Sequence, residues 1–235
     1  MRPNFIIAGG DKFRRSEELA AVHAPENRNI AGFDQDMMRR CIEIAVQSGR
    51  NGEYPHGAMI TQAGQVVVES INRVAHVRDV TRHAEAESIS LAQKILGTIS
   101  LSDCVLYATS EPCVYCSYAI RESRLGRVVY ALHSPYMGGA SPWNVLTDHG
   151  LTEKMPEVFD PPPEVVAGFM AQETGDALLE WNPLVWGFVK RRGLFVTGPH
   201  ARFTAPAPTK KSTRIMRHLM PLLRTLVFDR FGRRL

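Results

Sequence analysis

CVLYATSEPCVYCSYAIRESRLGRVVYAL, residues 104–132, is the stretch on which the fold turns. Cys104 to Ala108 is a short apolar run of the kind that forms a buried strand. Cys113 to Ser123 is helical, and Arg127 to Leu132, with Val128, Val129 and Tyr130, is strand-like again. Working upstream, Ala84 to Leu96 reads as a helix closed by Gly97. Before it, Ala58–Thr61 and Gln65–Glu69 flank Ala63-Gly64, the pattern of a β-hairpin. Earlier still, Met37, Met38, Cys41, Ile42, Ala45 and Val46 recur at helical spacing behind Asp34, a residue suited to an N-cap, and Gly49 marks the end. The order helix, strand, strand, helix, strand, helix, strand predicts an α/β domain with helices on both faces of a mixed sheet. Downstream lie a Gly/Pro-rich loop at Tyr136–Pro142, a proline run at Pro161–Pro163 and a predicted helix from Glu164 to Leu179. No internal repeat is evident. The expected organisation is an N-terminal extension over residues 1–33, a domain over 34–200 and a C-terminal tail over 201–235.

A chain of 235 residues suits one domain with extensions, since single domains usually run to ~100–200 residues. Its 44% apolar and 22% charged residues are those of a globular protein and exclude wholesale disorder. No run approaches ~18 consecutive apolar residues, so no membrane-spanning helix is expected. Met1 to Gly10 holds too short an apolar run for a secretory signal, and a cytoplasmic location is expected. Charge is unevenly placed. Residues 210–235 hold eight basic residues against the single acid Asp229, a net of +7, which leaves −3 of the chain's +4 for residues 1–209. General attraction to nucleic acid would come from the tail rather than the domain.

Of four cysteines, Cys41 falls in an apolar helical pattern and Cys104 opens an apolar strand, so both read as small core residues. The close pair Cys113 and Cys116 asks for chemistry instead. Thirty residues before Cys113 stands Thr81-Arg82-His83-Ala84-Glu85, and like Glu111-Pro112-Cys113-Val114-Tyr115-Cys116 it falls where a loop enters a helix. One imidazole and two thiolates form a three-ligand zinc set with a fourth position left for water, as in catalytic rather than structural sites. Cys113 and Cys116, three apart, project from one helical face, and a helix N-terminus favours thiolates. Glu85, two residues past His83, is placed to handle the water's protons rather than to bind the ion.

These residues resemble the cytidine-deaminase-like superfamily, whose mark is His-x-Glu followed by Pro-Cys-x-x-Cys. The resemblance covers residues 34–150. It implies a three-layer αβα sandwich with a central mixed five-stranded sheet, Zn²⁺ on His83, Cys113 and Cys116, Glu85 as proton shuttle, and assembly as a homodimer. His as first ligand is unlike the small cytidine deaminases, which typically have Cys there. A two-residue gap between the cysteines is unlike the deaminase domain of riboflavin biosynthesis, where it is much longer. The pattern looks like the group of guanine deaminase, fungal-type cytosine deaminase and tRNA adenosine deaminase.

Within that group an asparagine at the position of Asn72 hydrogen-bonds the base edge; a turn residue after a strand is the alternative reading. His56 stands where the family has an apolar side chain flanking the base, and it either stacks on substrate or packs. The resemblance adds Ala84, Trp143 and Asn144 as substrate contacts, Trp143 as a lid, while Trp181 and Trp186 read as core or subunit interface. Ser123 to Tyr130 looks like the tRNA adenosine deaminases, yet His133–Ser141 lacks the Asp and Lys those enzymes carry. In guanine deaminases an acidic residue reads the base farther along; Asn144 and Asp148 are the nearest positions, and Asn144 departs from that pattern. With an acidic body, a free base, guanine first, is the expected substrate, ahead of an anticodon loop. Cytosine, nucleosides and related heterocycles stay open. A non-catalytic partner subunit is disfavoured because Glu85 is present. The tail, where basic residues alternate with Ile215, Leu219, Leu222, Leu226 and Phe228, reads as a segment docked on a neighbouring subunit or as a basic amphipathic surface for membrane or RNA.

Overall fold

The computed structural model of the chain describes residues 30–198; the tail and most of the N-terminal extension lie outside the described residues. Helix α1 spans Ile30–Arg50, β1 Gly57–Gln62, β2 Gln65–Ile71, α2 Val74–Val77, α3 Ala84–Leu96, β3 Cys104–Ser110, α4 Val114–Glu122, β4 Arg127–Leu132, α5 His149–Lys154, β5 Glu164–Ala167, α6 Ala171–Trp181 and α7 Pro183–Arg191. The strands lie in the order β2-β1-β3-β4-β5. β1 runs antiparallel to β2 and β3, while β3, β4 and β5 are parallel, so the sheet is mixed as expected.

Alternation along the strands builds the three layers, because successive side chains leave a strand on opposite faces. Met59, Tyr107, Val129 and Ala131 pack with Met37, Met38 and Cys41 of α1. Ala58, Ile60, Leu106, Ala108, Val128 and Tyr130 point the other way, against Ala84, Ile89 and Ala92 of α3 and Ile120 of α4. Cys41 and Cys104 are both buried in these cores, the role the sequence assigned them. The hairpin turns through Ala63 (φ 49°) and Gly64 (φ 74°), left-handed conformations that the Ala-Gly pair supplies. α3 ends on Gly97, also left-handed, with its N–H bonded to Gln93 O.

Two expectations are corrected. α1 already runs through Ile30–Phe33, so Asp34 lies inside the helix and is not its cap. Asp34 instead turns inward: its carboxylate accepts from Arg127 at 2.8 and 3.0 Å and from the Tyr107 hydroxyl at 2.6 Å. The predicted helix 164–179 is a strand followed by a helix. Glu164–Ala167 pairs with Arg127–Tyr130, and the β-branched Val165 and Val166 gain ladder bonds that an isolated helix start would not offer. Gly168 (φ 73°) and Met170 (φ 54°) then turn the chain into α6.

Candidate metal centre and its cavity

The N-termini of α3 and α4 converge at the ends of β1 and β3. His83 is the N-cap residue of α3 and Cys113 that of α4, both in extended conformation and neither spending its side chain on the cap. Cys113 Sγ lies 3.4 Å and Cys116 Sγ 3.5 Å from His83 Nδ1, and the three ligand atoms fall within 4.8 Å of one another. Tetrahedral Zn–N and Zn–S bonds of ordinary length place such atoms roughly 3.6 Å apart, so the donor set fits zinc in chemistry and in spacing. A hydrogen bond from Cys116, aided by His83, pulls the Cys113 thiol down to about 4, while the same bond and burial push Cys116 up. The Cys113 bond also raises His83. Ligation needs both sulfurs as thiolates and the imidazole neutral, so metal binding would release the protons that the raised Cys116 and His83 hold.

Glu85 is 7% exposed in the first turn of α3, with Oε2 3.6 Å from Cys116 Sγ. Burial, then the nearby Cys113 charge, raises it to about 7. A carboxyl group near neutrality gives and takes protons at working pH.

Asn72 follows β2 and lines the same cavity. Its Nδ2 donates to Glu53 Oε1 at 3.0 Å. Glu53 has no exposed side-chain surface and also accepts from the backbone N–H groups of Tyr54, Ala75 and His76. His56 enters from the residue before β1; its Nδ1 lies 3.1 Å from Ser110 Oγ and its ring is tilted 57° against Phe195. Burial, reinforced by His83, lowers His56 to about 4, so it is neutral at physiological pH. Ala84 is buried at the head of α3 beside Glu85 and belongs to the core rather than the cavity lining.

Two expected contacts are not brought to the cavity. Trp143 is 61% exposed, bonding Tyr136 O through Nε1, and Asn144 accepts from Thr147 Oγ1 in a left-handed turn. Asp148, the other position considered for reading the base, caps α5 by accepting from Gly150 N. The aromatic wall comes from Trp181 and Trp186 instead, with Phe188 and Phe195. Their distance in sequence from His83 and Cys113 hid this, since nothing local says which face of α6 or α7 meets the site. Glu111 was also missed. Its buried carboxylate accepts from Ser134 N, Ala140 N, Ser141 N and Ser141 Oγ, tying the Gly138-Gly139 loop to the Cys113 turn. A glutamate directly before Pro112, followed later by a Gly-Gly pair, is the signal that was available.

The comparisons agree with this geometry. Residues 32–132 match the family described as the cytidine and deoxycytidylate deaminase zinc-binding region. The tRNA-specific adenosine deaminase of Aquifex aeolicus is 36% identical over 119 residues, 50% of this chain and 79% of that protein. The guanine deaminase of Bacillus subtilis is 38% identical over 100 residues, 41% of this chain and 63% of that protein. A structure from a study of A-to-I editing by tRNA:A34 deaminases superimposes with a TM-score of 0.55 at 29% identity, covering 61% of this chain and 99% of that one. The fold and the site define a zinc-dependent deaminase. The chain belongs to the cytidine-deaminase-like family, with zinc as its metal. Among the described residues no helix is long and apolar enough to cross a membrane.

Proposed function

We propose that the protein hydrolyses the exocyclic amino group of a free nucleobase or related amino-heterocycle, guanine first among them, releasing ammonia. One observation carries this reading: the cavity holding His83 and Cys113 is walled by Val185, Trp186, Phe188, Val189, Leu194 and Phe195, and its described lining contains no Lys or Arg. Polynucleotides are held chiefly through phosphates by basic side chains, whereas a neutral planar base needs apolar faces and a few polar groups. The net charge of −3 over residues 1–209 points the same way.

Zinc on His83, Cys113 and Cys116 supplies a water acidic enough to act as nucleophile near neutral pH. Glu85 Oε2 takes one proton in the attack and delivers it to a ring nitrogen, then takes the second from the hydroxyl newly formed on the ring carbon and passes it to the departing amine as the carbonyl forms. Asn72, its Nδ2 held by Glu53, offers its carbonyl oxygen to an N–H of the base edge. His56 and Phe195 close on the ring from the side.

The test is an ammonia-release screen over guanine, cytosine, adenine, their nucleosides and aminotriazines, with Glu85→Gln as control. Glu85→Gln that keeps full activity removes the proposed mechanism. A second reading, deamination of adenosine in tRNA, is favoured by the 36% identity to a protein of that name. Inosine found by mass spectrometry in tRNA after incubation, with no turnover of free bases, replaces the first reading by the second.

A further inference from the structure

We infer that the site prefers, over the bare base, an amino-heterocycle that carries an apolar alkyl or aryl substituent, seated in an annex of the cavity formed by Leu178, Trp181, Val185, Trp186, Phe188 and Val189. The inference rests on the deaminase reading above and narrows its substrate class. The cavity measures about 860 Å³. A purine base packed at interior density fills roughly 200 Å³ of it. The groups suited to the reacting end, His83, Cys113, Glu85 and Asn72, come from the loop-helix junctions at α3 and α4 and from the end of β2. Everything that α6 and α7 add to the lining is apolar or aromatic. These residues lie beyond the 32–132 stretch that matches the family model.

The annex is built rather than incidental. The Trp181 indole lies on Gly49, where an added Cβ would come within 2.6 Å of the ring. Trp186, 4% exposed, packs on Leu132, Ala171 and Leu178. Asn182 caps α7 by accepting from Val185 N, with Pro183 at its first turn. Leu194 and Phe195 are held in place by paired backbone bonds between Val196 and His133, at 2.9 and 3.0 Å. Walls fixed before binding spare a ligand the cost of ordering them. A ribose or ribose phosphate there would leave its hydroxyl or charged oxygens unpaired. An alkyl or aryl group loses nothing polar and buries apolar area. The reaction is unchanged: water adds to the amino-bearing ring carbon, the carbon–nitrogen bond breaks, a carbonyl forms and ammonia leaves, with no change of oxidation state and the substituent untouched.

The test uses the full zinc-loaded chain. Guanine, adenine and cytosine are each compared with the corresponding nucleoside and with the derivative bearing a benzyl group on the sugar-bearing nitrogen. Binding is read from quenching of tryptophan fluorescence and turnover from ammonia release. The benzyl compound of at least one base is expected to bind at least tenfold more tightly than its parent, and the nucleoside less tightly. Val185→Ser and Phe188→Ser, separately, are expected to cut that ratio at least threefold. Benzyl compounds that bind no better than their parents overturn the annex, even where the parents are deaminated. Tight benzyl binding with no ammonia from any compound leaves the annex standing and removes the deaminase reading instead.

Discussion

Asn72 donates its amide N–H to Glu53, a carboxylate with no exposed side-chain surface, 19 residues away in sequence and 3.0 Å away in space. The same carboxylate takes N–H groups from Tyr54, Ala75 and His76, so one buried charge holds both the loop before β1 and the start of α2. This bond settles which end of the Asn72 amide is spoken for. Glu53→Gln puts a second amide against it and leaves buried donors unpaired, at a cost of ~1–3 kcal/mol. The expected result is a KM raised about tenfold, zinc content unchanged, and a similar loss for Asn72→Ala. Because the two act as a unit, the double variant is expected to be no worse than the poorer single one. Strictly additive losses would show that Glu53 does not act through Asn72.

Metal loss is the second prediction. Cys116→Ser removes one of two sulfurs 3.4–3.5 Å from His83 Nδ1. Bound zinc, measured by mass spectrometry of the native protein, is expected to fall from one equivalent to well below it, with ammonia release lost in proportion. Chelation of the wild type should reproduce that loss and added zinc reverse it. Glu85→Gln is expected to keep its zinc, because the glutamate is not a ligand. A metal-free Glu85→Gln protein contradicts that separation of roles.

Acid sensitivity follows from His56. Its folded value of about 4 lies below the ordinary 6.5, so between these pH values the unfolded chain binds a proton that the folded chain refuses. The stability contributed is therefore whole above pH 6.5, is lost as pH falls towards 4, and changes no further below that. Between pH 7 and 5 the loss is about 2 kcal/mol. Denaturant titration of the chelated protein, in which zinc release plays no part, is the measurement. His56→Leu should lose that much of the slope, and an unchanged slope would mean that His56 titrates normally.

Much of this was legible in residues and spacings. The two strands and helix of residues 104–132, the α3 boundaries and the Ala63-Gly64 turn lie where hydrophobic periodicity and turn chemistry put them, because each is decided by neighbours in sequence. The ligand set was legible for the same reason: two short motifs carry all of it. What escaped depends on contacts between distant segments. Glu164–Ala167 becomes a strand only because β4 offers an open edge, and Asp34 abandons its cap only because Arg127 and Tyr107 wait below. Trp181 and Trp186 reach the cavity through the turn at Gly168–Met170, which no periodicity announces. Trp143, which the resemblance offered as a lid, is exposed instead.

The Asp34–Arg127 pair joins α1 to β4 across 93 residues, with Asp34 5% and Arg127 19% exposed. Asp34→Ala takes from the Arg127 guanidinium its two short bonds and leaves it only the exposed Glu164 carboxylate at 3.3 Å, and takes from the Tyr107 hydroxyl its 2.6 Å acceptor. The expected loss is about 2–4 kcal/mol, seen as a Tm lowered by roughly 5–15 °C in a thermal melt. Zinc content at 25 °C should not change. A Tm within 2 °C of wild type would mark the pair as solvated and of no structural weight.

The Gly138-Gly139 pair gives the last prediction. An added Cβ at Gly138 would overlap the Glu111 carboxylate, and one at Gly139 the Ser117 side chain. Neither glycine has a left-handed backbone, so the requirement is space, not conformation. Gly138→Ala must push Glu111 away from Ser134, Ala140 and Ser141, and the loop that bonds Val114 N through Met137 O and Gly139 N through Pro112 O then loosens around Cys113. Partners that orient metal ligands typically carry about 10–100-fold in affinity. Competition with a chelator of known strength is expected to show zinc held at least tenfold more weakly in Gly138→Ala. Glu111→Gln keeps the shape but gives up the charge that gathers these donors, and is expected to fall between the two. If Gly138→Ala holds zinc as the wild type does, the loop only covers the Cys113 turn and does not position it.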